Sequence, residues 1–303
     1  MRRVGRRVLP LEGRRLLARL LSTGPRAVVL AVGRQILAPG VGRLRHHRPR
    51  PIRVPGRYGV TPPLRSYPLI SIVTPTLNSA PFLERTVRSV LEQGYGRLEH
   101  IVQDGGSTDG THEILDRYRT RLATIESARD SGLGQALNRG FRRGTGEILA
   151  YLNSDDLLLP GALHYAAGFF LDHPEVDVLY GHRVLIDEED REIGRWVLPP
   201  HDERALQWAD YVPQETLFWR RRVWEEVGAS FDESYRFAVD WDFLLRLRRL
   251  GARFARVPRF LGAFRVHPAQ KSAVELRTVG DSEMARLRER EHGRPVSPDE
   301  IRR

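Results

Sequence analysis

The sequence predicts an α/β fold: a mostly parallel sheet flanked by helices, completed by a mixed α+β half. Three observations predict it. From Leu69 onward, short apolar runs alternate with segments of helical periodicity, as in βαβ units. One run, residues 148–152, stops abruptly at Asn153-Ser154-Asp155-Asp156. Adjacent carboxylates resist burial without a cation, and the carboxyl end of a parallel strand is where open α/β sheets bind ligands. Beyond Tyr180 the alternation lapses, so the later half is built differently.

The elements follow in order. The first strand covers residues 69–74 and ends at Pro75. A helix over 80–93 comes next, with Asn78 or Ser79 as its cap and Phe82, Val87, Val90 and Leu91 toward the core. Strand two, 98–103, opens into a turn at 104–109 rich in Gly, Ser and Thr, then a helix at 111–119. A short strand near 122–127, a glycine-containing loop and a helix at 135–143 lead back to the strand that carries the acids. A helix over 160–172 and an apolar strand at 176–180 follow. The later half reads as a hairpin at 184–197, a strand at 214–219 and an amphipathic helix at 240–250.

Charge divides the chain unevenly. Residues 1–65 carry 16 Arg and one acid, a net of +15 against +11 for the whole chain, so residues 66–303 are net −4. The expected division is therefore a basic arm (1–65), a folded domain (66–275) and a C-terminal helix or tail (276–303). Within the arm, residues 8–21 suit a short basic amphipathic helix, and 38–65 read as a Pro- and Arg-rich linker without a core. Such an arm suits peripheral contact with an anionic membrane face, each Arg contributing about 1 kcal/mol there. It has no aromatic residue before Tyr58 for stacking on bases, so no nucleic-acid partner is expected. Cysteine is absent, which excludes disulfides and thiolate metal sites. No apolar run approaches the ~18 residues of a membrane span.

Three carboxylate positions carry the candidate chemistry. Asp155 and Asp156 fit a hard divalent ion that takes its remaining ligands from substrate phosphates; the plainer reading is that one of them caps the helix near Pro160. Asp104, beside Gly105 and Gly106, can accept an N–H from a planar ligand that approaches the backbone closely, or can simply shape its turn. Asp240 opens the helix at 240–250, either as a first-turn acid favoured by the helix dipole or as a general base over a cleft. His267, beside Gln270, Lys271 and Ser272, can close over a diphosphate.

These segments in their order, ISIVTPTLN (70–78), IVQDGGSTDGT (101–111), LNSDD (152–156) and VDWDFLLRL (239–247), resemble family-2 glycosyltransferases of the GT-A fold, particularly bacterial members that build surface polysaccharide. The resemblance covers residues 68–272. It implies an inverting enzyme at the cytoplasmic membrane face, moving a sugar from a nucleotide-sugar donor, UDP or dTDP rather than GDP, to a glycan or lipid-linked acceptor. It further implies Mg²⁺ or Mn²⁺ held by Asp156, with Asp155 on the ribose or on metal-bound water and His267 as an added ligand. Asp240 matches the catalytic base. The donor-binding set it implies is Thr74, Pro75, Thr76 and Asn78 around base and ribose, Asp104 on the base N–H, and Gln135, Asn138, Ser154 and Asp155. Two departures stand out: Val239 replaces the acid often found before the base, and the acid pair is Ser-Asp-Asp rather than a spaced Asp-X-Asp. The competing readings are a sugar nucleotidyltransferase, which would need a glycine-rich phosphate loop that TPTLN lacks, and a degenerate nucleotide-sugar-binding or membrane-tethering protein of the same fold.

Overall fold

The computed structural model describes residues 42–301. The first half is a run of parallel strands: β2 (Ile70–Thr76), β3 (Leu98–Asp104), β4 (Thr124–Ser127) and β5 (Ile148–Tyr151), in the order β5-β2-β3-β4. The crossovers are the helices α1 (Ala80–Leu91), α2 (Thr111–Tyr118) and α3 (Leu133–Phe141). Strands β2 and β5 are buried at every position, as expected of central strands with helices on both faces, and the buried Ser71 and Thr74 of β2 are hydrogen-bonded to Glu99 and His100.

The sheet continues past β5 with mixed pairing. A two-residue β6 (Leu157–Leu158) follows the acids, then α4 (Ala162–Asp172). Next come β7 (Val178–Ile186), β8 (Arg191–Val197), the short α5 (Glu203–Trp208), β9 (Phe218–Arg220) and α6 (Arg221–Glu226). β9 lies antiparallel between β5 and β7. The chain then runs through α7 (Val239–Arg249) into β10 (Phe254–Arg265), which pairs parallel to β7 and antiparallel to β6. β6 therefore ties the turn bearing Asp155 and Asp156 to the far half of the molecule. The expected α/β architecture with a mixed second half is what is seen, and no helix among the described residues is long and apolar enough to cross a membrane.

Two expectations are corrected and a third is made specific. The linker assigned to residues 38–65 holds the edge strand β1 (Arg43–Pro51), antiparallel to β8, and a 3-10 turn at Gly56–Gly59 that buries Tyr58. Glu192 is fully buried in β8, and His47, Arg50 and Arg195 satisfy it at 2.8, 2.7 and 2.7 Å. Ion pairing rather than apolar alternation seats β1. Residues 1–41, including the amphipathic helix expected at 8–21, lie outside the described residues. The C-terminal segment, expected as a helix or tail, is a helix: Asp281–His292 sends Met284 and Leu287 into the core shared with α7. Lastly, Phe82 on α1 leaves the core to Leu83, Thr86, Val87 and Val90, and instead lies against His267 (4.7 Å between ring centres) and under Arg265.

Trp219, Trp224, Phe231 and Phe243 stack around one another in the largest core cluster, with Phe231 and Phe243 4.7 Å apart. Trp241 is buried with them, its indole N–H on the Leu206 carbonyl. Trp196 lines a cavity on this side of the molecule.

Candidate active site

The carboxyl ends of β2 and β5 open into a cleft of about 460 Å³, walled by Pro75, Thr76, Leu77 and Ser79 from the end of β2 and the turn after it, Asp130 and Gly132 from the β4–α3 loop, and Asn153, Ser154 and Asp155 after β5. Arg236, Lys271 and Glu275 close the opposite side. A deeper cavity of about 150 Å³ adjoins it through Leu133, Asn153, Asp155 and Lys271, and contains Asp240, Asp210, Arg183, Gln214, Trp196 and Phe264. Asp155 thus stands at the junction of the two spaces.

The acid turn is built for rigidity. Asp156 N–H closes a turn on the Asn153 carbonyl, and the Thr86 hydroxyl of α1 lies 2.8 Å from both the Ser154 and Asp156 carbonyls. Neither acid caps α4, whose N-cap is Gly161. Asp155 Oδ2 lies 3.1 Å from His267 Nε2, which carries His267 into the site from beyond β10. Asp156 is buried; its Oδ1 accepts the Arg265 N–H at 2.9 Å, while Oδ2 has no protein partner. Burial, then the charges of Asp155 and Glu215, pushes the Asp156 carboxyl well above the usual carboxylate range. An orphaned buried carboxylate oxygen next in sequence to a second carboxylate is chemistry that a divalent cation can satisfy. Among the described residues no three His, Asp or Glu side chains gather to hold a metal ion, so a cation bound here would need substrate oxygens as further ligands.

Asp240 sits in the first turn of α7, accepting the Trp241 N–H at 3.0 Å. Helix capping does not explain it: the N-cap is Ala238, and Glu283 of the C-terminal helix accepts the N–H groups of Arg236, Phe237 and Ala238 at 2.8, 2.9 and 3.0 Å. Asp242, its neighbour in sequence, is buried and paired with Arg246 and Arg290. Asp210 shares the cavity with Asp240 and has a buried Oδ1 without a partner. Burial raises the carboxyls of both; Asp240's charge raises Asp210 further, well above the ordinary range. Asp210 thus puts a second carboxylate in the cavity that holds Asp240, although Val239 stands before it in the chain. Arg183 forms the opposite wall, held by Glu215 at 2.8 and 2.6 Å and stacked over Phe264 at 4.4 Å.

Several residues of the expected donor set take other places. Thr74 turns into the core onto His100 Nε2 at 2.9 Å. Asn78, at φ +50°, accepts the Thr108 N–H at 2.9 Å and so ties two turns together. Asn138 clamps residue 231 through both its amide groups, and Gln135 binds Ser131 and Glu233. Asp104 is fully buried: Oδ1 and Oδ2 accept from the Ser107 and Ser127 hydroxyls, both at 2.5 Å, and from the Ser107 and Gly106 N–H groups. These four line neither cavity, nor does Asp104; Pro75, Thr76, Ser154, Asp155 and Asp240 do. Asp210, Gln214, Arg183 and Glu283 escaped the sequence reading, since each acts through a neighbour distant in sequence. Asp130 lies inside the segment ARDSG, where a Gly-flanked acid was a readable signal.

A sheet of this topology with acids at its carboxyl edge and a base candidate across the cleft defines the GT-A class of sugar transferases. The sequence profile of Glycosyl transferase family 2 matches residues 71–227. A PGL/p-HBAD biosynthesis glycosyltransferase from Mycobacterium bovis is 32% identical over 183 residues, 59% of this chain and 69% of that protein. Chondroitin synthase from Escherichia coli is 30% identical over 62% of this chain and 28% of its own length. Among solved structures, S. aureus TarS in complex with UDP-GlcNAc superposes with a TM-score of 0.61 at 20% identity, covering 77% of this chain and 69% of that one. A Pyrobaculum calidifontis mannosyltransferase in complex with GDP-Man and Mn²⁺ gives 0.58 at 20% identity, covering 95% and 78%. The chain belongs to glycosyl transferase family 2 and is a glycosyltransferase.

Proposed function

We propose that this enzyme transfers a sugar with inversion from a UDP- or dTDP-sugar to a glycan or lipid-linked acceptor in cell-surface polysaccharide or glycolipid biosynthesis, using Mg²⁺ or Mn²⁺. One observation carries the reading: Asp155 borders both the open cleft and the deep cavity that holds Asp240. A donor in the cleft therefore presents its anomeric carbon toward the space in which an acceptor hydroxyl meets a carboxylate.

Asp156 and Asp155, together with oxygens of the donor, would hold the cation, which would neutralise charge as the diphosphate departs, with His267 set against Asp155 at 3.1 Å. Asp240 takes the proton of the acceptor hydroxyl, and its raised affinity for protons suits a base working near neutrality. Arg183, Trp196 and Phe264 offer a cationic wall and two aromatic faces for an acceptor sugar. The names of the mycobacterial relative and of TarS's ligand support the glycoconjugate pathway and a uridine donor. The arm over 1–41 is assigned to peripheral membrane contact on its charge alone.

The test is nucleotide release from a panel of UDP-, dTDP- and GDP-sugars with Mn²⁺ and with EDTA, followed by NMR of the product anomer. Metal-dependent release from a UDP- or dTDP-sugar, with an α-donor giving a β-product, supports the reading. Retained configuration, or turnover indifferent to EDTA, refutes it.

A further inference from the structure

Both oxygens of Asp104 are taken up, by Ser107 and Gly106 of its own turn and by Ser127 of β4, with His112 Nε2 3.4 Å from Oδ2, so another group must meet a base bound in the cleft. Gly105 points to it. Its N–H donates to the Thr76 carbonyl at 2.8 Å, which fixes it to the cleft rim. A Cβ placed on Gly105 would stand 2.8 Å from Asp130 Oδ2. Glycine here leaves the room that the Asp130 carboxylate occupies. Asp130 lines the cleft with Thr76 and Leu77. Its Oδ1 is engaged by the Gly132 N–H at 2.9 Å, and no described residue donates a hydrogen bond to Oδ2.

We propose that Asp130 reads the nucleobase of the donor, Oδ2 accepting the ring N–H that uracil and thymine carry on their pairing edge. The inference rests on the nucleotide-sugar reading above and names the group that selects the base. A carboxylate is an acceptor only, and a partly desolvated one gains most from an N–H donor. Burial raises the Asp130 carboxyl, in keeping with a poorly hydrated oxygen that seeks a partner. Cytosine and adenine present a ring acceptor at that edge and would face the carboxylate lone pair to lone pair. Guanine offers two adjacent donors and is served best by both oxygens, of which Oδ1 is already held. The Gly105–Asp130 pair acts as a unit: a side chain at 105 expels the carboxylate.

The test is calorimetry of the full chain with Mn²⁺ against UDP, 3-methyluridine diphosphate, GDP and CDP. The wild type should bind UDP about 10- to 100-fold more tightly than the methylated analogue or CDP, the ratio expected for one charge-assisted hydrogen bond. Asp130→Ala should bind UDP and the methylated analogue alike. Gly105→Ala, which keeps the carboxylate but displaces it, should lose the same preference, and the double variant should lose no more than either single one. Discrimination that survives both substitutions in folded protein, or that Asp104→Asn abolishes instead, overturns the proposal. Tighter binding of GDP than UDP by the wild type overturns the pyrimidine assignment. If folded wild type binds no nucleotide at all, the donor-site reading itself fails, a result distinct from binding without base preference.

Discussion

Replacing Asp240 by Asn is the sharpest perturbation of the chemistry. The amide keeps the size of the side chain and can still accept the Trp241 N–H now bound at 3.0 Å, so α7 keeps its first turn. What is lost is proton affinity. General-base catalysis contributes about 10²–10⁴ in rate, or roughly 3–5 kcal/mol of barrier at 1.36 kcal/mol per decade. Two features of the structure bound the other effects. Asp240 lines the deep cavity but not the donor cleft, so nucleotide affinity should change less than about threefold. Neutralising Asp240 also removes its repulsion of Asp210, so thermal stability should hold or rise. The assay pairs initial rates of sugar transfer with calorimetric UDP binding and a melting curve. A variant within tenfold of wild-type kcat would refute the assignment of the base. A variant that is slow only because it melts early or no longer binds UDP would refute the geometry.

Asp210→Asn should leave the acidic limb of the kcat/KM profile in place. Burial raises both carboxyls, and Asp240's charge in turn lifts Asp210 well above Asp240, so Asp240 ionises while Asp210 is still protonated and a neutral amide at 210 changes little. A limb that moves to lower pH would show that Asp210 carries the charge first. Asp156→Ala removes the orphaned Oδ2 and should weaken UDP binding at least tenfold in Mn²⁺ while leaving the affinity in EDTA unchanged, read by calorimetry. Glu283→Ala strips the acceptor from three N–H groups ahead of Asp240. It should cost about 2–4 kcal/mol in urea unfolding, allowing about 1–3 kcal/mol for each unsatisfied buried donor that water does not reach, and should lower kcat more than UDP affinity.

The parallel half was legible because its strands carry short apolar runs between turn residues and its helices a clear buried stripe; Ile70–Thr76 and Ile148–Tyr151 fall within two residues of their expected limits. The acid turn was legible for a related reason: Asp155-Asp156 ends an apolar run abruptly, though helix capping was an equally available reading until Gly161 proved to be the N-cap. β1 was not, because Arg43–Pro51 owes its place to the buried Glu192 across the sheet, and no pattern within the strand announces that partner. The same holds for Asp210 and Glu283, whose meaning appears only when α7 brings Asp240 beside them. Asp104 illustrates the converse. Its motif marks a tight turn correctly, yet Ser107 of that turn and Ser127 at the end of β4 already donate to the carboxylate that the ligand was expected to meet. Local sequence identifies a carboxylate at the strand end but not which way it faces.

The account turns on a metal-dependent nucleotide site at the carboxyl edge of the parallel strands. Calorimetric titration of the intact chain with UDP, in Mn²⁺ and again in EDTA, tests it most directly. Saturable binding in Mn²⁺ that weakens at least tenfold in EDTA is the predicted result. Equal affinity under both conditions, or none from protein shown to be folded, would contradict it.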